Sequence, residues 1–190
     1  ARWAASLAEV PEGPTLLLAN EFFDALPVRQ YLASAEGWRE RMVGLSGGHL
    51  AWGLSAPLPG PAREGDWAEV SPAAEAVAAE AARRIAGHGG AALVIDYGYS
   101  AVRPPGPTLQ AMRAHARADP LEAPGEADLT WLVDFDRLAR AFAPLATHAT
   151  TQGAFLAALG IGARAEALAL AAPGRAGEVA DALERLTAPD

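Results

Sequence analysis

Asn20, Glu21 and Asp24 bring an amide and two carboxylates together directly after the apolar run Leu16–Ala19. Paired carboxylates hold a planar guanidinium through two parallel hydrogen bonds, so Glu21 and Asp24 could clamp one. The plainer alternative is that Asp24 caps a short turn, Phe22, Phe23 and Leu26 pack, and Glu21 lies in water. On spacing alone that alternative is the stronger. A second set, Asp96, Tyr97 and Tyr99, follows the apolar run Ala91–Ile95. These groups could line a pocket or simply satisfy neighbouring backbone at a strand end. Pairing Glu21 with Asp96 would suit a carboxylate hydrolase, with only proximity in its favour. His115 with Asp119 could form a base and its orienter, although a lone histidine among arginines is more often a surface group.

The elements that must position these groups are legible in outline. A short apolar run without internal polar residues reads as a strand buried on both faces, typical of parallel sheets. Two such strands joined by a helix form a right-handed crossover unit, and ligands bind at the C-terminal edge of such sheets. Asn20, Glu21 and Asp24 would then converge with Asp96, Tyr97 and Tyr99 on one edge. The intervening helix is marked by Ser71 as its cap, Pro72 in the first turn, the stripe Val77, Ala81 and Ile85, and the stop Gly87–Gly90. Glu80 lies one turn before Arg84, the spacing of an ion pair.

Between the first strand and this helix, 28–33, 38–45, 50–54 and 66–70 read as strands of an antiparallel meander, with turns at 34–37 and 46–49. Trp38, Trp52 and Trp67 belong to it as core or interaction face. Further on, 108–125 shows no sustained period and reads as irregular. Asp134 or Asp136 caps a helix to about Ala143, 147–151 reads as a strand, and helices follow near 153–159, 163–171 and 176–186. Gly160-Ile161-Gly162 matches a nucleotide-loop pattern by letters, but it follows a helix and reads as a helix cap.

Composition narrows the function classes. The chain has 190 residues, 51% of them hydrophobic, enough for one well-buried domain and too few for two large ones. Its net charge of −8 opposes nucleic acid or an anionic membrane as the main partner and suits a cationic substrate. With no cysteine and four scattered histidines, no metal site is expected. No run approaches the ~20 apolar residues of a membrane span. The absence of a signal-peptide pattern, the lack of cysteine and the arginine-only basic set suggest a cytoplasmic protein of a GC-rich bacterial genome. The chain starts without Met, and both ends read as cut.

Six ordered strings, 16–30 (LLLANEFFDALPVRQ), 37–45 (GWRERMVGL), 69–80 (EVSPAAEAVAAE), 92–99 (ALVIDYGY), 109–130 (LQAMRAHARADPLEAPGEADLT) and 151–161 (TQGAFLAALGI), resemble the MidA-like family of class I S-adenosylmethionine-dependent methyltransferases. One departure is Leu132, where the family tends to carry a histidine. The resemblance implies an α/β, Rossmann-like class I methyltransferase fold, truncated at both ends, with the meander as an insertion at about 28–70. It implies a single domain over 1–190, the substrate-side part of an enzyme whose glycine-rich cofactor loop lies outside the chain. The implied activity is methyl transfer from S-adenosylmethionine to a protein side chain, with arginine expected. A respiratory complex subunit or its bacterial counterpart is the implied partner. The alternative is a non-catalytic assembly protein built on the same scaffold.

With the resemblance, the clamp of Glu21 and Asp24 becomes the favoured reading, and Asn20 stands beside the transferring methyl group. Asp96, Tyr97, Tyr99 and His115 are implied to line the substrate pocket. Ser6 and Leu7, with Asn20, are implied on the cofactor side.

Overall fold

The computed structural model describes residues 2–188. The chain divides into two compact units, Ala1–Ala146 and Thr147–Asp190. In the first, β1 (Thr15–Asn20) is followed by β2 (Arg29–Ser34), β3 (Gly37–Ser46), β4 (His49–Leu54) and β5 (Trp67–Val70). The last four form the antiparallel meander, ordered β4-β3-β2-β5. Helix α1 (Pro72–His88) then leads into β6 (Gly90–Ile95), which lies parallel to β1 with Asn20 opposite Ile95. The crossover unit therefore ends both strands at one edge, as their shared pattern of an apolar run stopping in polar groups predicts.

Local chemistry fixes α1. The Ser71 hydroxyl accepts from Ala74 N at 3.1 Å, capping the helix, and donates to the Pro27 carbonyl at 2.8 Å. A single side chain thus starts the helix and anchors the exit of the segment after β1. The helix turns Ala74, Ala78, Ala81, Ala82 and Ile85 inward, and these pack with Ala19, Phe23, Val133, Leu138 and Phe142. Small residues permit the helix to lie close against the sheet, an arrangement that leaves little tolerance for added volume. The Glu80–Arg84 pair forms at 3.1 Å. Arg84 is buried and spends the rest of its fork on the carbonyls of Leu7, Val10 and Pro11, pinning the lead-in to α1.

Beyond β6 come β7 (Gly98–Tyr99), β8 (Gln110–Arg113), β9 (Ala116–Ala118), β10 (Asp128–Thr130), β11 (Val133–Asp134) and α2 (Phe135–Ala141). The segment expected to be irregular contains a β8–β9 hairpin. Its tip, Ala114-His115, has both residues in left-handed backbone, φ 48° and 62°, the geometry of a two-residue hairpin turn without the Asn or Gly that usually signals it. The polar set after Ala91–Ile95 does not stay on one strand: β6 pairs with β1, whereas Tyr99 lies on β7, which pairs with β11. Asp134, not Asp136, caps α2, accepting from Arg137 N at 2.9 Å.

The second unit holds α3 (Gln152–Ala158), α4 (Ile161–Ala171) and α5 (Ala176–Thr187). The strand expected at 147–151 is absent; Thr151 instead caps α3 by accepting from Ala154 N. Gly160 is left-handed, φ 84°, between α3 and α4, the capping role its context indicates. Among the described residues no single helix is long and apolar enough to cross a membrane.

One expectation about β1 needs correction. Leu17 and Ala19 face the α1 side, but Leu16 and Leu18 on the opposite face are 88% and 70% exposed, so the strand is covered on one face only. The close approach of β1 to β6 is also tested at Gly90. Its φ of 132° disfavours a side chain, and an added Cβ would sit 1.9 Å from the Thr15 carbonyl oxygen. Gly90→Ala is expected to lower unfolding free energy by roughly 2–4 kcal/mol in urea titration. A change below ~0.5 kcal/mol would show that the pair is not packed as described.

Candidate functional site

At the end of β1 the chain turns sharply over Glu21–Asp24. Glu21 N donates to Ile95 O at 2.9 Å, continuing the ladder by one bond, while Glu21 itself adopts left-handed backbone, φ 46°. For a residue with a Cβ this costs roughly 1–2 kcal/mol, so something must hold it. The holder is Asp96. Its Oδ2 accepts from the amides of Phe22, Phe23 and Asp24 at 3.2, 2.9 and 3.2 Å, and its Oδ1 from Tyr97 N at 2.9 Å. Hydrogen bonds to a charged acceptor contribute about 1.5–3 kcal/mol each, more than enough to offset the strained residue. Phe23, 1% exposed, nails the same turn into the core and meets Phe22 edge to face.

The turn separates its two carboxylates. Glu21 is exposed and lies 3.4 Å from the Tyr97 hydroxyl, which can donate to its Oε1. Asp24 is 4% exposed, and its Oδ1 accepts no hydrogen bond among the described residues. Burial pushes the Asp24 carboxyl above its usual range, and the charges of Asp96 and Glu21 push the same way, against hydrogen bonds from the Ala25 and Asp24 amides. Tyr97 is likewise raised, first by the charge of Glu21 and then by burial. None of Glu21, Asp24 or Asp96 takes part in an ion pair among the described residues, whereas Glu40, Glu75 and Glu80 each hold an arginine. Three carboxylates therefore share an edge without a compensating cation. No group of three or more acidic, His or Cys side chains among the described residues is placed to share a metal ion. An organic cation is the ligand chemistry this edge suits.

The remaining predicted residues are dispersed. Asn20 is exposed at the end of β1, opposite Ile95. Asp96 accepts from four backbone amides, three through Oδ2 and one through Oδ1. Tyr99 is half-buried on β7; its hydroxyl is buried without a partner among the described residues, and burial, then the charge of Asp134, raises it. His115 is exposed at the β8–β9 tip, and Asp119 turns to accept from Leu121 N, so the proposed base and orienter do not pair. Ser6 is exposed before a 3₁₀ turn at Leu7–Glu9; Leu7 packs half-buried against the core and gives its carbonyl to Arg84.

Trp131 was not singled out by sequence reasoning. Its amide donates to Asp24 O at 3.1 Å and its indole to Leu26 O at 3.0 Å, closing the turn from the far side. A tryptophan two residues before a short strand carries no recognisable signal of that role. The buried Glu69 is similar: it accepts from Gln30, from Thr108 through both amide and hydroxyl, and from Leu109, tying the meander to the segment that leads toward β8.

A nucleotide-type cofactor would want a glycine-rich turn between a strand and a helix. The two strand-to-helix junctions among the described residues, at Ser71 and Asp134, contain no glycine, and the Gly160–Gly162 pattern joins two helices. Among the described residues, then, no glycine-rich strand-to-helix turn of that kind is present.

This architecture, a parallel pair with a helical crossover, a meander and polar groups gathered at the strand ends, is the α/β Rossmann-like fold of the class I methyltransferases. A crystal structure from Burkholderia thailandensis with S-adenosyl-homocysteine bound matches it with a TM-score of 0.82 at 26% identity, covering 98% of this chain and 52% of that one. A native structure of an uncharacterised protein from the same organism matches at 0.81 and 25% identity, covering 96% and 54%. Residues 1–154 match the family described as "Putative S-adenosyl-L-methionine-dependent methyltransferase", and the chain belongs to that family. Among curated relatives, the mitochondrial protein arginine methyltransferase NDUFAF7 of Mus musculus is 40% identical over 73% of this chain, and that of Danio rerio is 34% identical over 87%. The chain spans 33% and 42% of those two proteins. The cytoplasmic location expected from composition is overturned, since these relatives are mitochondrial by name. A cysteine-free chain reports compatibility with a reducing compartment, not an address.

The raised Asp24 gives a sign that can be checked. Folding favours its neutral form, so this group's contribution to stability is fully present below its ordinary value of 3.8 and is lost as pH rises through the higher folded value. Asp24→Asn should raise Tm at pH 7, and the gain should vanish near pH 3. An equal shift at both pH values would assign the cost to packing and not to charge.

Proposed function

We propose that this chain is the substrate-side half of an S-adenosylmethionine-dependent methyltransferase that acts on an arginine side chain of a protein. The observation that carries the reading is the Asp24 carboxylate, buried, with Oδ1 unpartnered, beside an exposed Glu21 and without a neighbouring cation. A buried carboxylate without a partner costs stability, and such costs are retained where a ligand supplies the missing partner. A guanidinium supplies a positive charge, five N–H donors and a planar fork that two carboxylates can hold. The names of the mitochondrial relatives point the same way.

In this reading S-adenosylmethionine supplies an electrophilic methyl group, and its principal cradle lies outside these residues. Methyl transfer needs the acceptor nitrogen held in line, so positioning and charge placement supply most of the rate. Glu21 takes the guanidinium at the solvent face, Asp24 Oδ1 becomes its second acceptor once the Asp24 side chain turns toward the ligand, Tyr97 steadies Glu21, and Glu21 takes the proton that the methylated nitrogen releases. Asn20 and Ser6 remain on the cofactor side, while Tyr99 borders the substrate. Extension to a respiratory complex subunit as the protein methylated rests on the family resemblance.

A second reading, a non-catalytic assembly scaffold, draws on the exposed Leu16 and Leu18, which offer an apolar face. One pair of measurements separates the two. In a full-length family protein carrying these residues, S-adenosylmethionine should raise Tm, and Glu21→Gln should keep that shift while lowering arginine methylation at least ~100-fold. Methylation unchanged in Glu21→Gln would defeat the clamp; the absence of any cofactor-induced shift would favour the scaffold.

A further inference from the structure

We propose that Asp96 is the positioning residue of this cation site: its carboxylate contacts no substrate but builds the backbone turn that aims Glu21 and Asp24. The inference rests on the reading of the site given above and adds to it the device that creates its geometry. Four amides, those of Phe22, Phe23, Asp24 and Tyr97, converge on the two oxygens at 2.9–3.2 Å. Oδ2 accepts three of these bonds and has no lone pair left for a guanidinium, and Oδ1 is already engaged by Tyr97 N. Three of these donors are successive, and they follow a residue in left-handed backbone, Glu21 at φ 46°. Successive N–H groups beside a left-handed residue form a concave anion-binding nest. Here the nest is filled from within, by a side chain placed one residue after the Asn20–Ile95 register position.

The consequence is a division of labour among three carboxylates. Asp96 spends its charge on peptide dipoles and converts it into geometry. Glu21 leaves the turn toward solvent and Asp24 leaves it into the protein, where Asp24 Oδ1 is buried without a partner among the described residues. Removing the Asp96 charge should therefore loosen the turn before any ligand is present, which a direct ligand would not do.

The test is amide hydrogen exchange and NMR on this chain and on Asp96→Asn, an isostere without the charge. Exchange at Phe22, Phe23 and Asp24 should accelerate at least tenfold in the variant, while the α1 amides keep their protection. Titration with Nα-acetyl-arginine amide should shift the Glu21 and Asp24 resonances, with affinity at least tenfold weaker in the variant. In Asp96→Ala, added formate should refill the nest and restore protection at the three amides, a rescue that general loss of packing would not show. Unchanged exchange in Asp96→Asn overturns the proposal, and so does a loosened turn with unchanged arginine affinity. Should either variant fail to fold, scalar coupling from the Phe23 amide nitrogen to the Asp96 carboxyl carbon in the unaltered protein decides: its presence supports the nest, its absence overturns it. If the unaltered chain shows no response to the arginine compound, the arginine reading falls, while exchange, rescue and coupling still decide whether Asp96 sets the turn.

Discussion

The carboxylate of Asp96, received by three successive amides of the turn after β1, is the interaction on which the rest of the site depends. It joins the end of β6 to the chain leaving β1, converting the parallel pairing of two strands into a fixed placement of side chains. Without it Glu21 would have no reason to remain in left-handed backbone, and the buried position of Asp24 would lose its restraint. The parallel sheet supplies the register, α1 supplies the floor under Phe23, and Asp96 translates both into the orientation of two acids.

This arrangement carries an electrostatic cost that the fold does not relieve internally. Elsewhere on the chain several acidic groups are matched, as with Arg29 and Glu40 on the meander or Glu75 and Arg137 between α1 and α2. At the edge beyond β1 and β6 they are not, and Asp24 is held above its usual range by burial and by its neighbours' charges. A site that takes a guanidinium out of solvent gains from such a field being in place before the ligand arrives.

Much of the fold was legible because its signals are local. The Ser71 cap, the Pro72 start, the Ala-rich stripe and the two apolar runs each follow from short-range chemistry, and they suffice to predict the crossover and the edge where Asn20, Glu21 and Asp24 meet Asp96. The site was legible in its residue types but not in its roles. Asp96 looked like a pocket group because its target, a run of backbone amides more than seventy positions earlier, leaves no trace in side-chain identity. The β8–β9 hairpin was hidden because Ala114 and His115 take backbone angles usually given to Gly or Asn, and Thr147–Thr151 misled because β-prone residues without an adjacent strand edge have nothing to pair with. The division after Ala146 had no linker composition to announce it.

The central claim is that an arginine guanidinium seats between Asp24 and Glu21, with Asp96 held away from it. A crystal structure of a full-length family protein carrying these residues, with S-adenosyl-homocysteine and an arginine peptide, tests this most directly. The account predicts guanidinium nitrogens within hydrogen-bonding distance of Asp24 Oδ1 and Glu21, and Asp96 still bound to the amides of Phe22, Phe23 and Asp24. A guanidinium held elsewhere, or Asp24 Oδ1 already satisfied by a donor from the rest of that protein, would contradict it.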